Sequence, residues 1–205
     1  MQGPDDVLKF WLDEIEPSQW YNSSPEFDKE IADRFESTWN AAMNGSLSLW
    51  LTYASGTLAY ILLTDQFSRN MFRDTGKAFA SDRLALAAAK AAVHRKWDLR
   101  IDEPARQFFY LPMMHSECLA DQERAVRMFH TRMPDTGPSN LLHAKAHRDV
   151  IREFGRFPYR NAALKRKSTL PEVTYLEAGG YGHTVKKFEA MQAAKAQNQD
   201  MAAAS

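Results

Sequence analysis

The sequence predicts an all-α fold of about eight to nine helices, arranged in antiparallel pairs joined by short loops. Apolar residues recur three and four positions apart through most of the 205-residue chain, the spacing that places them on one helix face. No segment alternates apolar and polar residues over a run rich in β-branched side chains, as a half-buried strand would. Capping residues and helix breakers also fall where the apolar periodicity begins and ends.

The first half of the chain divides into four predicted helices. Pro4 suits a first helical turn and Pro17 ends the first helix, whereas Ser24 supplies the N-cap of the second. A third helix over 58–72 is so apolar that we expect most of it to be buried. An alanine-rich fourth helix follows a predicted N-cap at Ser81, and its small side chains permit close helix contact.

The second half predicts further helices of the same kind. Pro112 removes a backbone hydrogen bond from the helix over 106–115, so we expect that helix to kink or end near Leu111. Gly155 is the predicted left-handed stop of a long, charged helix. The predicted N-caps of the later helices are Asp121, Ser139 and Thr169.

The length of the chain fits one domain, which we expect to cover residues 1–182. Residues 183–205 form a tail rich in Ala, Gln and Lys that has little apolar surface to bury. This tail is expected to be either a marginal helix or disordered.

The composition excludes several classes of function. The 26 basic and 26 acidic residues cancel, which disfavours a general nucleic-acid binder. A single cysteine, Cys118, prevents an internal disulfide and fits a reducing compartment, so a cytoplasmic location is the expectation. No membrane-spanning or secretory segment is predicted, because Lys9 and several acids interrupt the first apolar stretch. These features are compatible with a homo-oligomer as well as with a monomer.

The charge is nevertheless unevenly distributed along the chain. Residues 1–50 hold ten acidic and three basic side chains, whereas residues 145–167 hold eight basic and two acidic ones. Four arginines fall four residues apart in that basic segment, where they would repel one another without counter-charge; they are Arg148, Arg152, Arg156 and Arg160, followed directly by Asn161. An internal salt-bridge network or a bound anion would supply that charge, since arginine's planar fork suits carboxylate and phosphate.

The apolar third helix carries a second polar group. Asp65 and Arg69 stand in the favourable order for a helical ion pair, and burial would require further partners such as Asn70. The bland interpretation is an interior network that fixes how two helices dock. The sharper one assigns Asp65, Arg69 and Asn70 to the same ligand site as the arginines.

Histidines offer three chemical interpretations. His143 and His147 have the spacing of metal ligands, but the surrounding arginines disfavour a cation, so we predict no metal and no cofactor. Cys118 with His115 as its base would make a nucleophile, a weaker signal still. A metal-free acid–base site would use His147 or His115 as proton carrier, oriented by Asp149 or Glu117.

Several motifs resemble a known family over residues 5–182. The stretches Leu62-Leu63-Thr64-Asp65-Gln66-Phe67-Ser68-Arg69-Asn70 and Phe109-Tyr110-Leu111-Pro112-Met113-Met114-His115-Ser116-Glu117, and the run from His147 to Asn161, are similar to the bacterial domain of unknown function 924 family. The resemblance implies an all-α fold like a tetratricopeptide-repeat helical array, and it carries over no reaction or catalytic residue. Ser68 stands where the family usually has proline, and Tyr159 where histidine is common.

Three functions follow from these patterns. The first is a helical-repeat-like binding module whose basic, aromatic-lined pocket takes an anionic small molecule or an acidic peptide. The second is a metal-independent acid–base enzyme acting on a phosphate- or carboxylate-bearing substrate. The third is a structural or oligomerising protein. The residues expected to bind the ligand are Asp65, Arg69, Asn70, Arg148, Arg152, Arg156, Arg160 and Asn161.

Overall fold

The structure is a computed structural model that describes residues 1–21 and 24–203. Within those ranges the chain is 74% helical and has no strand, which confirms the predicted all-α class. The connection between the helix that Pro17 is predicted to end and the helix that Ser24 is predicted to cap includes residues 22–23, and the predicted tail includes residues 204–205. Both pairs lie outside the described residues. The tetratricopeptide-repeat-like arrangement stays a prediction.

Ten α-helical segments follow one another along the described chain. They are α1 (Pro4–Leu8), α2 (Pro25–Met43), α3 (Ala54–Ile61), α4 (Ser68–Met71), α5 (Asp82–His94), α6 (Leu111–Met114), α7 (Leu119–Arg132), α8 (Pro138–Phe154), α9 (Leu170–Glu177) and α10 (Gly180–Ala203). Two π-helical segments, Lys9–Glu14 and Leu62–Phe67, continue α1 and α3 without a break. Short 3₁₀ turns occur at Pro17–Gln19, Ser48–Thr52, Gly76–Phe79, Asp98–Arg100, Ala105–Phe109 and Pro158–Arg160.

The chain folds into two compact units, Met1–Ser116 and Glu117–Ser205. The prediction of one domain over 1–182 stays a prediction. In the part of the chain that the structure describes, no helix combines the length and the apolar character needed to cross a membrane.

An aromatic cluster forms the core of the first unit. Phe35 lies 4.8 Å from Phe67 between ring centroids, and Trp11 lies 5.2 Å from the same ring. Phe10 packs at 5.1 Å on Phe35, so α2 and the two π segments meet around one group of rings. Each buried ring removes a large apolar area from water, worth about 1.5–3 kcal/mol apiece.

A serine hydroxyl joins three elements inside this unit. Ser81 is the N-cap position of α5, as predicted, but its hydroxyl does not cap the helix. It donates to the Thr64 carbonyl at 2.6 Å and accepts from the Trp39 indole at 3.0 Å. The same residue that starts α5 therefore connects it to α2 and to the π segment.

The second unit is built around α8. Val150, Ile151 and Phe157 form a buried cluster, on which Phe154 and Tyr175 pack. Helices α7 and α10 both pack on α8, and His147 of α8 lies 4.5 Å from the Tyr181 ring of α10. Apolar side chains of α8 share one face and belong to this cluster, which explains why a helix with so many charges is stable.

Two predicted helix starts are wrong by a few residues. Helix α7 begins at Leu119 with Cys118 as N-cap, which places Asp121 inside the first turn, where it is buried. Helix α8 begins at Pro138 because proline's fixed φ suits a first turn, so Ser139 is not its cap. The Ser24 cap is confirmed, since its side chain accepts from the Phe27 N–H at 3.1 Å.

Proline also divides the helix predicted over 106–115. A 3₁₀ turn ends at Phe109 and α6 begins at Leu111, with Pro112 in its first turn. The helix therefore ends before the proline rather than kinking at it. The short α6 delivers His115 to its C-terminal end.

Gly155 ends α8 in the left-handed conformation, with φ of 71°, as the sequence predicts. A Cβ at this position would meet no atom of the described residues within 4 Å, so only backbone conformation opposes a larger residue. Gly155→Ala is therefore expected to lower the free energy of unfolding by about 1 kcal/mol. Urea unfolding followed by circular dichroism measures the change.

The matched control is Gly182→Ala, because Gly182 lies inside α10 and is equally open around its Cβ. This variant should leave stability unchanged or raise it, since alanine favours a helix over glycine by about 1 kcal/mol. Equal losses in the two variants would contradict the conformational argument.

Candidate functional site

The most deeply buried carboxylate of the predicted site residues lies on a π-helical turn of the first unit. Asp65 is 1% exposed and sits in the middle of the segment Leu62–Phe67. Every residue of that segment is buried, including Thr64 and Gln66. A π turn widens a helix by one residue and is frequent at functional sites, because it re-aims side chains that a regular helix would space evenly.

His115 is the principal partner of this carboxylate. Its Nδ1 lies 2.9 Å from Asp65 Oδ1 and 3.0 Å from Oδ2. The histidine side chain is 18% exposed, so the ring connects a buried charge with the surface. Gln66 adds a hydrogen bond from its side-chain amide to Asp65 Oδ2.

The Asp65 and His115 contact fixes the tautomer of the ring. A carboxylate can only accept hydrogen bonds, so Nδ1 carries the hydrogen and donates it to Asp65. Nε2 is then the ring atom with the lone pair when the ring is neutral. This arrangement, a buried acid that orients a histidine, is what general acid–base catalysis requires of the proton carrier.

Arg69 contributes less to Asp65 than the helical spacing predicts. Its Nη2 lies 3.7 Å from Asp65 Oδ1, beyond hydrogen-bond distance, and this buried Nη2 has no hydrogen-bond partner among the described residues. Its Nη1 instead contacts Asp82 at 2.8 Å and donates to the Ala78 carbonyl. The guanidinium is therefore held by the first residue of α5 and by the 3₁₀ turn before it, while Nη2 stands beside the Asp65 carboxylate.

Two opposing effects act on the pKa of Asp65. Burial alone would raise it, but the His115 ring and then the Arg69 guanidinium outweigh burial and hold the pKa below its usual range. The carboxylate is therefore ionised at neutral pH, as an orienting group must be.

Asn70 turns away from this group toward α2. Its side-chain amide donates to Asp28 Oδ1 at 2.8 Å, and Arg73 donates to the other oxygen of Asp28 at 2.6 Å. Burial alone would raise the pKa of Asp28, but Arg73 and Asn70 outweigh it and lower the pKa. Asn70 thus joins α4 to α2, and its predicted role in ligand binding has no support from these contacts.

In the second unit, the arginines of α8 find their counter-charge on α7. Arg148 Nη1 donates to Glu123 Oε2 at 3.1 Å, and Arg152 Nη2 donates to Oε1 of the same carboxylate. The Arg152 side chain is 46% exposed, whereas Nε of Arg148 is buried and its N–H donates to no group in the described part of the chain. One glutamate therefore pairs with two guanidinium groups, so this cluster of three side chains carries one more positive than negative charge.

Arg156 holds an irregular segment of backbone in place. Its guanidinium forms a two-pronged contact with Glu172, at 2.6 Å from Nε and 2.8 Å from Nη2, and it also donates to the Lys167 carbonyl at 3.0 Å. The Arg156 fork and the Thr169 N–H hold the pKa of Glu172 well below its usual range. The Thr169 N–H donates to Glu172 at 2.7 Å, so the predicted N-cap residue of α9 and Arg156 contact the same carboxylate.

Glu117 is paired in the same way. Arg166 donates to its two oxygens at 2.7 and 2.9 Å, and the Phe157 N–H donates to it at 2.8 Å. Burial alone would raise the pKa of Glu117, but the Arg166 fork and the Phe157 N–H outweigh it and lower the pKa. Within the second unit, these contacts make Glu117 an anchor for the backbone after α8.

Arg160 and Asn161 lie within the same segment. The Arg160 guanidinium is buried over the Phe157 ring, 4.5 Å from its centroid. Asn161 accepts from Arg166 Nε at 2.9 Å and donates to the Ser168 hydroxyl at 3.1 Å. Both side chains are therefore packed inside the second unit, where they order the segment between α8 and α9.

His147 is held by its own helix. Its Nδ1 lies 2.9 Å from the His143 carbonyl, so Nδ1 donates there, and the ring packs at 5.3 Å on Phe157. His143 in turn contacts the Tyr181 hydroxyl at 2.7 Å, and burial lowers its pKa. In the described part of the chain, no group of three His, Cys, Asp or Glu side chains could hold a metal ion.

Asp149 faces a cavity of about 530 Å³ between α8, α9 and α10. Glu153 and Lys187 also line it, and Lys187 lies 3.5 Å from Asp149. Tyr175 and Leu170 supply apolar walls. This cavity presents the acidic side of α8, whereas Arg148 and Arg152 point to α7, so it is not the basic pocket that the sequence predicts.

Sequence reasoning missed the partners rather than the charged groups themselves. Glu123, Glu172 and Arg166 were not among the predicted site residues, although they neutralise most of the arginine and glutamate side chains that were. The sequence carries one signal for these partners: four arginines spaced four residues apart need acidic side chains nearby. Asp149 and Glu153, the acids nearest to these arginines in sequence, instead line the cavity toward α9 and α10.

The buried Asp65 carboxylate should make stability depend on pH. The pKa of Asp65 in the folded protein lies below the ordinary value of about 3.9. The ionised carboxylate therefore contributes to the free energy of unfolding above the ordinary pKa, and this contribution is lost as the pH falls through the folded pKa. Asp65→Asn is expected to lower the free energy of unfolding by about 3 kcal/mol near neutral pH, and by less below about pH 3. Urea unfolding at both pH values measures this.

Asp33→Asn is the matched control, because Asp33 pairs with Lys29 on an exposed face of α2. That pair is worth about 0.5 kcal/mol at most, so its loss should be small at either pH. An Asp65→Asn variant no less stable than Asp33→Asn would contradict the inferred role of the buried carboxylate.

Comparisons with known proteins identify the family. The family model described as a bacterial protein of unknown function (DUF924) matches residues 7–180. A solved structure of a protein of unknown function from Agrobacterium tumefaciens is similar, with 40% sequence identity and a TM-score of 0.79, over 85% of this chain and 96% of that one. No curated protein matches. The chain therefore belongs to the bacterial DUF924 family.

Proposed function

We propose that the protein is a metal-independent acid–base enzyme in which His115 carries the proton and Asp65 orients it. The observation behind this proposal is the pair of distances, 2.9 and 3.0 Å, between His115 Nδ1 and the two oxygens of a carboxylate that is 1% exposed. A buried charge costs free energy unless partners compensate for its lost hydration, and a buried carboxylate paired with a partly exposed histidine is the pattern of a functional site.

The proton transfer follows from the tautomer. With Nδ1–H held by Asp65, Nε2 accepts a proton from a hydroxyl group or a water molecule as that group attacks the substrate. The imidazolium that forms is stabilised by the ionised carboxylate behind it, and Nε2 then returns the proton to the leaving group. Asp65 itself stays ionised throughout, in keeping with its lowered pKa.

Arg69 supports an anionic substrate for this chemistry. Its buried Nη2 has no hydrogen-bond partner within residues 1–21 and 24–203 and lies 3.7 Å from Asp65, so a positive group stands beside the dyad without being fully used by it. Negative charge on a phosphate- or carboxylate-bearing substrate would be stabilised by such a group in the transition state. The substrate class is therefore phosphate- or carboxylate-bearing.

His147 is the weaker candidate for the proton carrier. Its Nδ1 donates to a backbone carbonyl of its own helix, which is neutral and cannot stabilise an imidazolium as a carboxylate does. Asp149, which the sequence offered as its orienting acid, contacts Lys187.

The second candidate is an anion-binding module that uses Arg148 and Arg152. It is favoured by one observation, namely that these two guanidinium groups share the single carboxylate of Glu123 while Arg148 Nε lacks a hydrogen-bond partner in the described ranges. Arginine's planar fork suits phosphate and carboxylate, so a small anion or an acidic peptide is the ligand class.

The acid–base proposal predicts loss of turnover in two variants. A panel of phosphate and carboxylate esters identifies the reaction, after which His115→Ala and Asp65→Asn should each lower kcat about 100-fold or more while circular dichroism stays unchanged. The matched control is His94→Ala, which removes an exposed histidine at the end of α5 and should leave kcat unchanged. Turnover that survives both site variants would overturn the proposal.

The tautomer can be tested without a substrate. Nitrogen-detected NMR of the histidine rings should show His115 protonated at Nδ1 in the wild-type protein, because Asp65 accepts that hydrogen. In Asp65→Asn the preference should weaken or reverse, whereas in His94→Ala it should persist. A wild-type ring protonated at Nε2 would rule out the orientation proposed for the dyad.

The anion-binding candidate predicts a ligand-dependent rise in Tm. Inorganic phosphate and citrate, each at a concentration far above Kd, should raise the wild-type Tm by a few degrees, and the rise should disappear in Arg152→Ala. Lys145→Ala is the control, because it removes a cation from the same helix without touching Glu123. Equal rises in all three proteins would count against a specific site.

A further inference from the structure

A separate cavity of about 300 Å³ lies in the first unit, between α3 and α5. Its floor is one face of α5, which we call the alanine face, made of Ala87, Ala88, Ala91 and Ala92. These residues recur three and four positions apart, so they share one side of the helix. Small side chains there leave open space that larger residues would have filled.

The opposite wall of this cavity is fixed in place. Gly56 of α3 is packed so closely on the preceding 3₁₀ turn that a Cβ would come within 2.6 Å of the Trp50 carbonyl. Thr57 lines the cavity and donates its hydroxyl to the same carbonyl at 3.3 Å. These contacts hold Gly56 and Thr57 against the 3₁₀ turn, which fixes the position of this wall opposite the alanine face.

Tyr60 places a polar group in this otherwise apolar space. Its side chain lines the cavity and is 5% exposed. Among residues 1–21 and 24–203, no group is hydrogen-bonded to its hydroxyl. Burial raises the pKa of Tyr60, so the hydroxyl keeps its hydrogen at neutral pH. Its hydroxyl can therefore donate a hydrogen bond to an acceptor atom of a ligand that enters the cavity.

Arg95 supplies a positive charge at the edge of the same cavity. Its guanidinium lies 4.7 Å from the Trp97 ring centroid, and Nη1 is 3.4 Å from the Leu51 carbonyl. No acidic side chain in the described ranges forms a salt bridge with it. Stacking on the indole therefore orients the cation, while its charge stays available to an anion.

We propose that this cavity binds a small amphiphilic monocarboxylate, whose carboxylate meets Arg95 and whose hydrocarbon part lies on the alanine face. The size agrees, because an apolar cavity of about 150 Å³ holds benzene, and this one is about twice as large. The face from Ala87 to Arg95 is about 12 Å long at ~1.5 Å per residue, which suits a medium-length chain.

The chemistry of the walls favours this ligand over others. A polyanion such as a nucleotide would have to bury charge against alanine and leucine side chains, which costs several kcal/mol per group. A cationic ligand would meet the Arg95 guanidinium. A neutral hydrocarbon would leave both Arg95 and the Tyr60 hydroxyl unused, whereas a carboxylate or a second acceptor on the ligand uses them.

Isothermal titration calorimetry of the full chain tests the proposal with three probes: octanoate, its neutral analogue octanamide, and acetate. Octanoate should bind at least tenfold more tightly than either of the others, because it alone combines the charge with the chain. Arg95→Gln should weaken octanoate about tenfold and leave octanamide unchanged. Tyr60→Phe should weaken octanoate about threefold to tenfold.

A steric variant and a charge control complete the experiment. Ala91→Phe fills the cavity from an exposed helix position and should abolish octanoate binding while the Tm stays near that of the wild type. Arg83→Gln removes an exposed cation elsewhere on α5 and should change nothing.

Two results would overturn the proposal. One is octanoate binding no tighter than acetate in the wild-type protein. The other is octanoate affinity that Arg95→Gln and Ala91→Phe leave at the value measured with Arg83→Gln. Because neither variant touches Asp65 or His115, these results are independent of the acid–base reaction proposed above.

Discussion

The buried Asp65 carboxylate is the constraint around which the first unit is organised. A carboxylate that is 1% exposed must find partners inside the fold, and here His115, Gln66 and Arg69 surround it. His115 stands at the C-terminal end of α6, a short helix whose first turn contains Pro112. The aromatic core, the proline and the acid thus act together, so the histidine is positioned by the whole unit and not by its neighbours in sequence alone.

The second unit uses the same chemistry for a different purpose. Its glutamates and arginines pair in forks that anchor the irregular backbone between α8 and α9, where Arg156 contacts Glu172 and Arg166 contacts Glu117. Planar, two-pronged contacts of this kind fix geometry as well as charge. The arginine pair on Glu123 differs, because it joins two helices, α8 and α7, and holds no irregular backbone.

Sequence reasoning predicted what local physics determines. The periodicity of α2 and α5, the cap at Ser24 and the left-handed Gly155 each depend on a few neighbouring residues. The contacts of Asp65 with His115, of Arg148 with Glu123 and of Arg156 with Glu172 could not be predicted, because these partners lie many positions apart and meet only when the helices pack. The π turn was equally hidden, since an apolar run such as 58–72 satisfies helical spacing with or without one extra residue.

The π turn at Leu62–Phe67 also has a consequence for how related chains are aligned. It accommodates roughly one residue more than a regular helix of the same rise, and each residue turns an α-helix by about 100°. In a relative that lacks this residue, the helix would stay apolar, but every side chain after position 67 would be rotated about the helix axis by that angle. Arg69 would then leave Asp82 and Asn70 would leave Asp28. In an alignment, a one-residue gap within 62–67 would therefore mark relatives that keep the helical fold but lose these contacts.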